Sequence, residues 1–292
     1  MKKKSKIKSV TKIRCLLFLL VTILSFYNSL FSQESDSIIV FPRPVNKSTM
    51  LLIGHSNLYD TYLSPLEYKG TSLRVMNERM SRLPWFNRSL IKQQIIDLEV
   101  ALADNPAKTA SEYWFMLNYR LGAHHEFLKV GDFRLRAGGI WDVALGVLYN
   151  ERNGNNPASA RAYTNLNLSI MAFYNWNRFT FRWQMDTPMM GILFSPKYGQ
   201  SYYEISLGNS VGVVNFASLH NQRALRNYMT VDFPIAKITL RAGYLGSFYQ
   251  TRVHSLQTHT YSNSFVIGLV TESINISGAK SRNKVNWNSC YY

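Results

Sequence analysis

Phe133-Arg-Leu-Arg-Ala-Gly-Gly-Ile-Trp-Asp-Val-Ala-Leu-Gly-Val-Leu-Tyr149 decides the fold. Phe133, Leu135, Ala137, Gly139, Trp141, Val143, Leu145, Val147 and Tyr149 are apolar or Gly at every second position. A helix returns a side chain to one face every three or four residues, a strand every two. The stretch therefore reads as one strand, about twice the usual length in a soluble protein. Arg134, Arg136 and Asp142 lie on its other face. Aromatics at both ends of an apolar row are what a strand crossing a bilayer in a β-barrel presents to lipid.

The same alternation recurs on both sides. Upstream, Tyr113, Phe115, Leu117, Tyr119, Leu121 and Ala123 oppose Glu112, Asn118, Arg120 and His124. Downstream, Leu166, Leu168, Ile170, Ala172, Tyr174 and Trp176 oppose Asn165, Asn167, Ser169 and Asn175. The whole chain predicts twelve strands, near 49–57, 71–82, 90–103, 112–124, 133–149, 165–176, 178–186, 201–208, 211–220, 223–233, 236–250 and 258–272. The fold class is all-β, a closed antiparallel transmembrane β-barrel of about 12 strands. Ten is the alternative, if the first is a plug and the eighth and ninth merge. Lipid offers the backbone no hydrogen bonds, so such a sheet must close. With an even count and a periplasmic N-terminus, the outer connections are 58–70, 104–110, 151–160, 191–200, 221–222 and 251–257. Tight turns at 176–177, 209–210 and 234–235 are then periplasmic. A large soluble β-sandwich or lipocalin-like barrel also alternates, but its strands are shorter and its apolar face points to a core.

Residues 1–33 read as a signal peptide. Seven basic residues between Lys2 and Arg14 precede an apolar run, Cys15–Tyr27, too short for a bilayer span of roughly 20 residues. Residues 34–47 form a periplasmic lead-in in which Pro42 and Pro44 oppose regular pairing. The barrel occupies 48–272, and 273–292 is a polar, basic tail. The formal net charge of +16 falls to +9 without the leader. The remaining basic residues are scattered along strands and not clustered, so the nucleic-acid footprint is weak and no nucleic-acid partner is expected. Of the two cysteines, Cys15 belongs to the leader and Cys290 to the tail, which leaves one thiol and no intrachain disulfide.

The inward face collects Arg74, Glu78, Glu112, Arg120, Arg134, Arg136, Asp142, Arg178, Arg182, Asp186 and Arg241. One reading is an ion-pair and water network filling a narrow lumen. The other is an anion-preferring channel, because arginines outnumber acids. His124-His125-Glu126 holds no metal, since adjacent strand residues face opposite ways; solvated histidines in a periplasmic turn are expected. No cofactor motif occurs. Ser218 and His220, with Asn227, form the one catalytic candidate. They resemble the His, Ser and Asn at the rim of outer-membrane phospholipases, in reversed order.

Four segments carry a wider resemblance: Asp60-Thr-Tyr-Leu-Ser-Pro-Leu-Glu-Tyr68, Phe194-Ser-Pro-Lys-Tyr-Gly-Gln-Ser-Tyr-Tyr203, Leu219-His-Asn-Gln-Arg-Ala-Leu-Arg-Asn227 and Phe265-Val-Ile-Gly-Leu-Val-Thr-Glu272. Together they are similar to an uncharacterised outer-membrane β-barrel family of Gram-negative anaerobes, a domain of unknown function. The resemblance implies a barrel in the outer membrane and supplies no catalytic residues. The expected role is structural, a narrow pore or recognition; the alternative is a lipid hydrolase using Ser218 and His220. The expected partners are outer-membrane lipid and the barrel-assembly machinery.

Overall fold

The computed structural model describes residues 44–83, 90–154, 156–235, 238–274 and 290–291. The expected signal peptide, residues 34–43 of the lead-in and most of the tail lie outside these. Among the described residues there are eleven strands and one short helix: β1 Pro44–Asp60, β2 Ser64–Arg82, β3 Leu90–Asp104, β4 Ser111–Val130, β5 Phe133–Asn150, β6 Ala158–Trp176, β7 Phe179–Phe194, α1 Tyr202–Ser206, β8 Val214–Ser218, β9 Gln222–Ile235, β10 Ile238–Val253 and β11 Leu256–Ile274.

Each long strand pairs antiparallel with its sequence neighbour from β1 to β7, then β7 with β9, β9 with β10, and β10 with β11. β11 returns to β1 over the full length, from Pro44↔Ile274 to Asp60↔Thr258. The ring is closed by ten strands, so the smaller of the two expected counts holds. The route to ten differs from the one foreseen. The first strand belongs to the wall and starts at Pro44, inside the expected lead-in, because proline is tolerated as a strand's first residue. The expected strand 201–208 is α1, started by a capping box in which Ser201 and Glu204 each hold the other's backbone N–H. The expected strand 211–220 shortens to β8, which lies on β7 in line with β9. Between Asp186↔Arg226 and Met190↔Ser218, eight residues of that partner chain span four of β7. β8 and β9 are thus one wall strand broken by a four-residue bulge. Two strands vanish and the count stays even.

The turns follow local chemistry. Gly131 (φ 56°), Asn177 (φ 53°) and the pair His254 and Ser255 (φ 51° and 65°) take the left-handed conformation that tight hairpins need. The expected outer loops 58–70 and 251–257 are largely strand, reduced to Thr61–Leu63 and His254–Ser255. The turn expected at 209–210 lies within the long excursion from Ser195 to Asn221. That excursion, with 105–110 and 151–157, makes one end heavier than the end of two-residue turns at 131–132 and 177–178.

Alternation sorts the side chains cleanly. Exposed outward residues include Leu73, Val75, Ile96, Leu98, Val100, Phe115, Leu117, Leu145, Leu166, Leu168, Ile267 and Leu269. Aromatic rings mark both rims: Tyr113 against Tyr149 at 6.2 Å near one end, Trp176 and Phe233 around Phe179 at 6.2 and 5.1 Å near the other. A belt of this kind suits hydrocarbon, since in water it would far exceed the apolar patch a monomer tolerates. Inside, charged and apolar layers alternate. Along β2 the inward residues run Tyr68, Ser72, Arg74, Met76, Glu78 and Met80, all 5 % exposed or less. Met50, Leu52, Met76, Ile95, Tyr228, Leu245 and Val266 form one apolar layer between two charged ones.

Candidate functional site: a cross-tied lumen

Glu78 on β2 is the hub. Its carboxylate accepts two hydrogen bonds from Arg182 on β7, both 2.8 Å, and one from Arg241 on β10, at 3.0 Å. Gln93 of β3 donates to it at 2.6 Å. Arg241 reaches Asp232 through Nε at 2.7 Å and a second nitrogen at 2.8 Å. Each of these four charged side chains is 2 % exposed or less. Because β2 and β7 are not neighbours in the ring, the Glu78–Arg182 bond crosses the lumen and ties opposite walls together. A planar guanidinium suits such bidentate contacts, which a lysine could not reproduce.

A second group lies towards the heavy-loop end. Arg74 pairs with Glu99 at 2.6 Å and Asp97 at 3.4 Å. Arg120 bridges Asp142 and Asp186, at 3.3 and 3.2 Å. Arg226 stands 3.8 Å from Asp186. Cavities of about 40 and 30 Å³ remain among these side chains, and one of about 20 Å³ lies beside Asp60 and Arg161. Each has room for only one to a few waters. Farther towards the same end Asp60 pairs with Arg161 at 2.8 Å, and Glu112 accepts a bond from Asn150 at 3.0 Å. At the other end Arg136 pairs with Glu126 at 3.0 Å.

Of the expected inward residues, Arg74, Glu78, Glu112, Arg120, Arg134, Arg136, Asp142, Arg182, Asp186 and Arg241 all face the lumen. Arg178 does not: the hairpin turn occupies 177–178, and its side chain is exposed. Asp97, Glu99, Arg226 and Asp232 are inward residues absent from the expected set, although each sits in phase with its strand's polar face. With these and Glu126 included, seven arginines meet eight carboxylates. The excess of arginine that suggested anion preference is gone. His124 is also corrected: it is a fully buried lumen residue bonded to Ser169 Oγ at 2.9 Å, not a solvated turn residue. His125 faces outward and is exposed, so the two histidines share no ion.

Ser218 and His220 meet at the bulge between β8 and β9, where Oγ and Nδ1 are 2.5 Å apart on an exposed rim. Asn227 is not their third member. Its Oδ1 accepts from the Trp183 indole at 2.8 Å, and it pairs with Met185 and Gly246. The Ser218 N–H is held by Asn221 Oδ1 at 2.9 Å. The excursion carrying them is anchored by Tyr62, which donates to the Gln200 carbonyl at 3.0 Å. Partial burial, with Tyr202 beside it, pushes that phenol up to about 12.

Among solved structures the chain is similar, at low identity, to three proteins. The transport unit of the autotransporter AIDA-I from Escherichia coli is 10 % identical with a TM-score of 0.47, covering 87 % of this chain and 97 % of that one. Neisserial surface protein A is 10 % identical with a TM-score of 0.32, covering 76 % and 96 %. A Pseudomonas aeruginosa FadL homologue is 9 % identical with a TM-score of 0.33, covering 78 % and 89 %. No curated protein matches the chain. Residues 15–280 match the family described as "Protein of unknown function (DUF3316)", and the chain belongs to that family.

Proposed function

We propose that this protein is a closed outer-membrane barrel that holds a recognition surface at the cell exterior and passes no solute through its lumen. The Glu78–Arg182–Arg241–Asp232 cross-tie carries this reading. An aqueous channel of useful width and a fully buried ion-pair network cannot share the same cross-section. The outer end is the one bearing the Ser195–Asn221 excursion, because outer loops of such barrels are long and periplasmic turns short. Tyr198, Tyr203, Leu207 and Val211 on that excursion are each at least 70 % exposed, which suits contact with a partner. Secretion and the barrel-assembly machinery would bring the chain to its membrane. In planar lipid bilayers the folded protein is expected to give no steady current above background. A reproducible single-channel conductance from the intact protein would overturn the closed-barrel reading.

The Ser218–His220 hydrogen bond favours a second reading, acyl transfer at the outer leaflet. A serine needs a nearby base to become a nucleophile, and His220 is in reach. Among the described residues no carboxylate orients the other imidazole nitrogen, so turnover would be slow. If the pair hydrolyses phospholipid, His220→Ala abolishes turnover in vesicles. Equal turnover by both proteins removes the idea.

A further inference from the structure

The inward faces are rich in polar groups, yet at the end where β2 stops and β3 begins they turn apolar. Met80, Ile91, Met171 and Phe173 face inward there, each 1 % exposed or less. Cys290 and Tyr291, which belong to no strand, pack against them and are fully buried. The Phe173 and Tyr291 rings meet edge-on, with centroids 5.0 Å apart. Arg241 stands over the Tyr291 ring at 4.7 Å and Arg182 at 5.6 Å. Arg134 donates to the Tyr291 carbonyl at 2.7 Å, and the Cys290 thiol donates to the Met80 carbonyl at 3.3 Å. An apolar floor, an edge-on ring, two cations over a π-face and an arginine on the main chain are together the fittings of an aromatic-peptide site. β11 ends at Ile274 beside Pro44, at this same end of the barrel. Residues 290–291 are therefore occupants of the lumen and not part of its wall.

We propose that the periplasmic end of the lumen is a binding site for an aromatic peptide segment, filled by the chain's own Cys290–Tyr291 as a tethered ligand. The site goes beyond the closed-barrel reading: the Glu78 cross-tie shuts the lumen whether or not the ligand is seated, so either idea can fail alone. Burial also pushes the Cys290 thiol up to about 11, which keeps it unreactive while it is seated.

The test uses the full-length chain with Cys15→Ser, so that Cys290 is the single thiol. Folding is followed by heat-modifiable migration. Cys290 is expected to resist maleimide in this protein and in Tyr291→Phe, which keeps the ring. It is expected to react at the rate of a free thiol in Tyr291→Ala. Phe173→Leu, which removes the ring contact while keeping an apolar floor, should also speed the reaction and serves if Tyr291→Ala does not fold. A fluorescent peptide of residues 285–292 carrying Cys290→Ser should bind saturably to the folded Tyr291→Ala barrel and not to the protein with Tyr291 intact. Removing the tyrosine from that peptide should weaken it about tenfold, the loss of one ring and its cation contacts. Rapid labelling of Cys290 with Tyr291 intact, or a folded Tyr291→Ala barrel that takes up no peptide, would overturn the proposal.

Discussion

Glu78→Ala is expected to cost about 3–5 kcal/mol, the penalty for removing one partner of a buried ion pair. The carboxylate receives Arg182 twice and Arg241 once, in a layer where none of these side chains is more than 2 % exposed and water cannot replace it. Arg241 keeps Asp232, but Arg182 is left beside Gln184 and Gln93 with no carboxylate in reach among its described partners. Total stabilities of folded proteins are roughly 5–15 kcal/mol, so most of the margin goes. The expected result in a urea titration of refolded protein is a midpoint moved far down, with poor recovery of the folded form. Glu78→Gln should fall between wild type and Ala, because it keeps acceptor geometry and loses charge. Replacing Glu78, Arg182, Arg241 and Asp232 together by Met should recover much of the loss, since the whole buried cluster then goes and none of its charges is orphaned. A loss below about 1 kcal/mol for Glu78→Ala, the scale of exposed pairs, would mean that water reaches this layer and the lumen is open.

Leu98→Arg is the second large effect, expected at about 2–4 kcal/mol if the residue lies near the bilayer midplane. Leu98 points outward from the middle of β3, between Val75 and Leu117 across the two ladders and between Ile96 and Val100 along the strand. All four neighbours are exposed and apolar. The same substitution on the surface of a soluble protein would change stability by less than about 0.5 kcal/mol. Folding titrations in lipid vesicles read the difference directly. A near-zero effect would place this face in water and make the barrel a soluble one.

Much of this architecture is legible in the sequence because a strand writes its two faces at period two. Phe133–Tyr149 is found as β5 with its even positions inward, and its neighbours follow. What escapes is of three kinds. Tyr202–Ser206 reads as strand because its aromatic content resembles one, though the Ser201 and Glu204 spacing of a capping box was available to correct it. The joining of β8 and β9 depends on what faces β7, a long-range register that no local pattern carries. Arg178 was placed one residue too far into its strand, and turn boundaries are where period-two reading slips most easily. Arg226 and Asp232 were readable: they alternate with Leu225, Met229, Val231 and Phe233. Tyr291 was not, because nothing near it in sequence is periodic. Its only trace is the inward Met80, Met171 and Phe173, apolar where the neighbouring inward positions carry charge.

The central claim is that this sheet closes in a membrane with its apolar belt in lipid. Fractionation of cells carrying the full-length protein, followed by electrophoresis of heated and unheated outer membrane, tests it most directly. The account predicts recovery with the outer membrane, solubility only in detergent, and a faster-migrating band that shifts on heating. Recovery in a soluble fraction, with one mobility before and after heating, would contradict it.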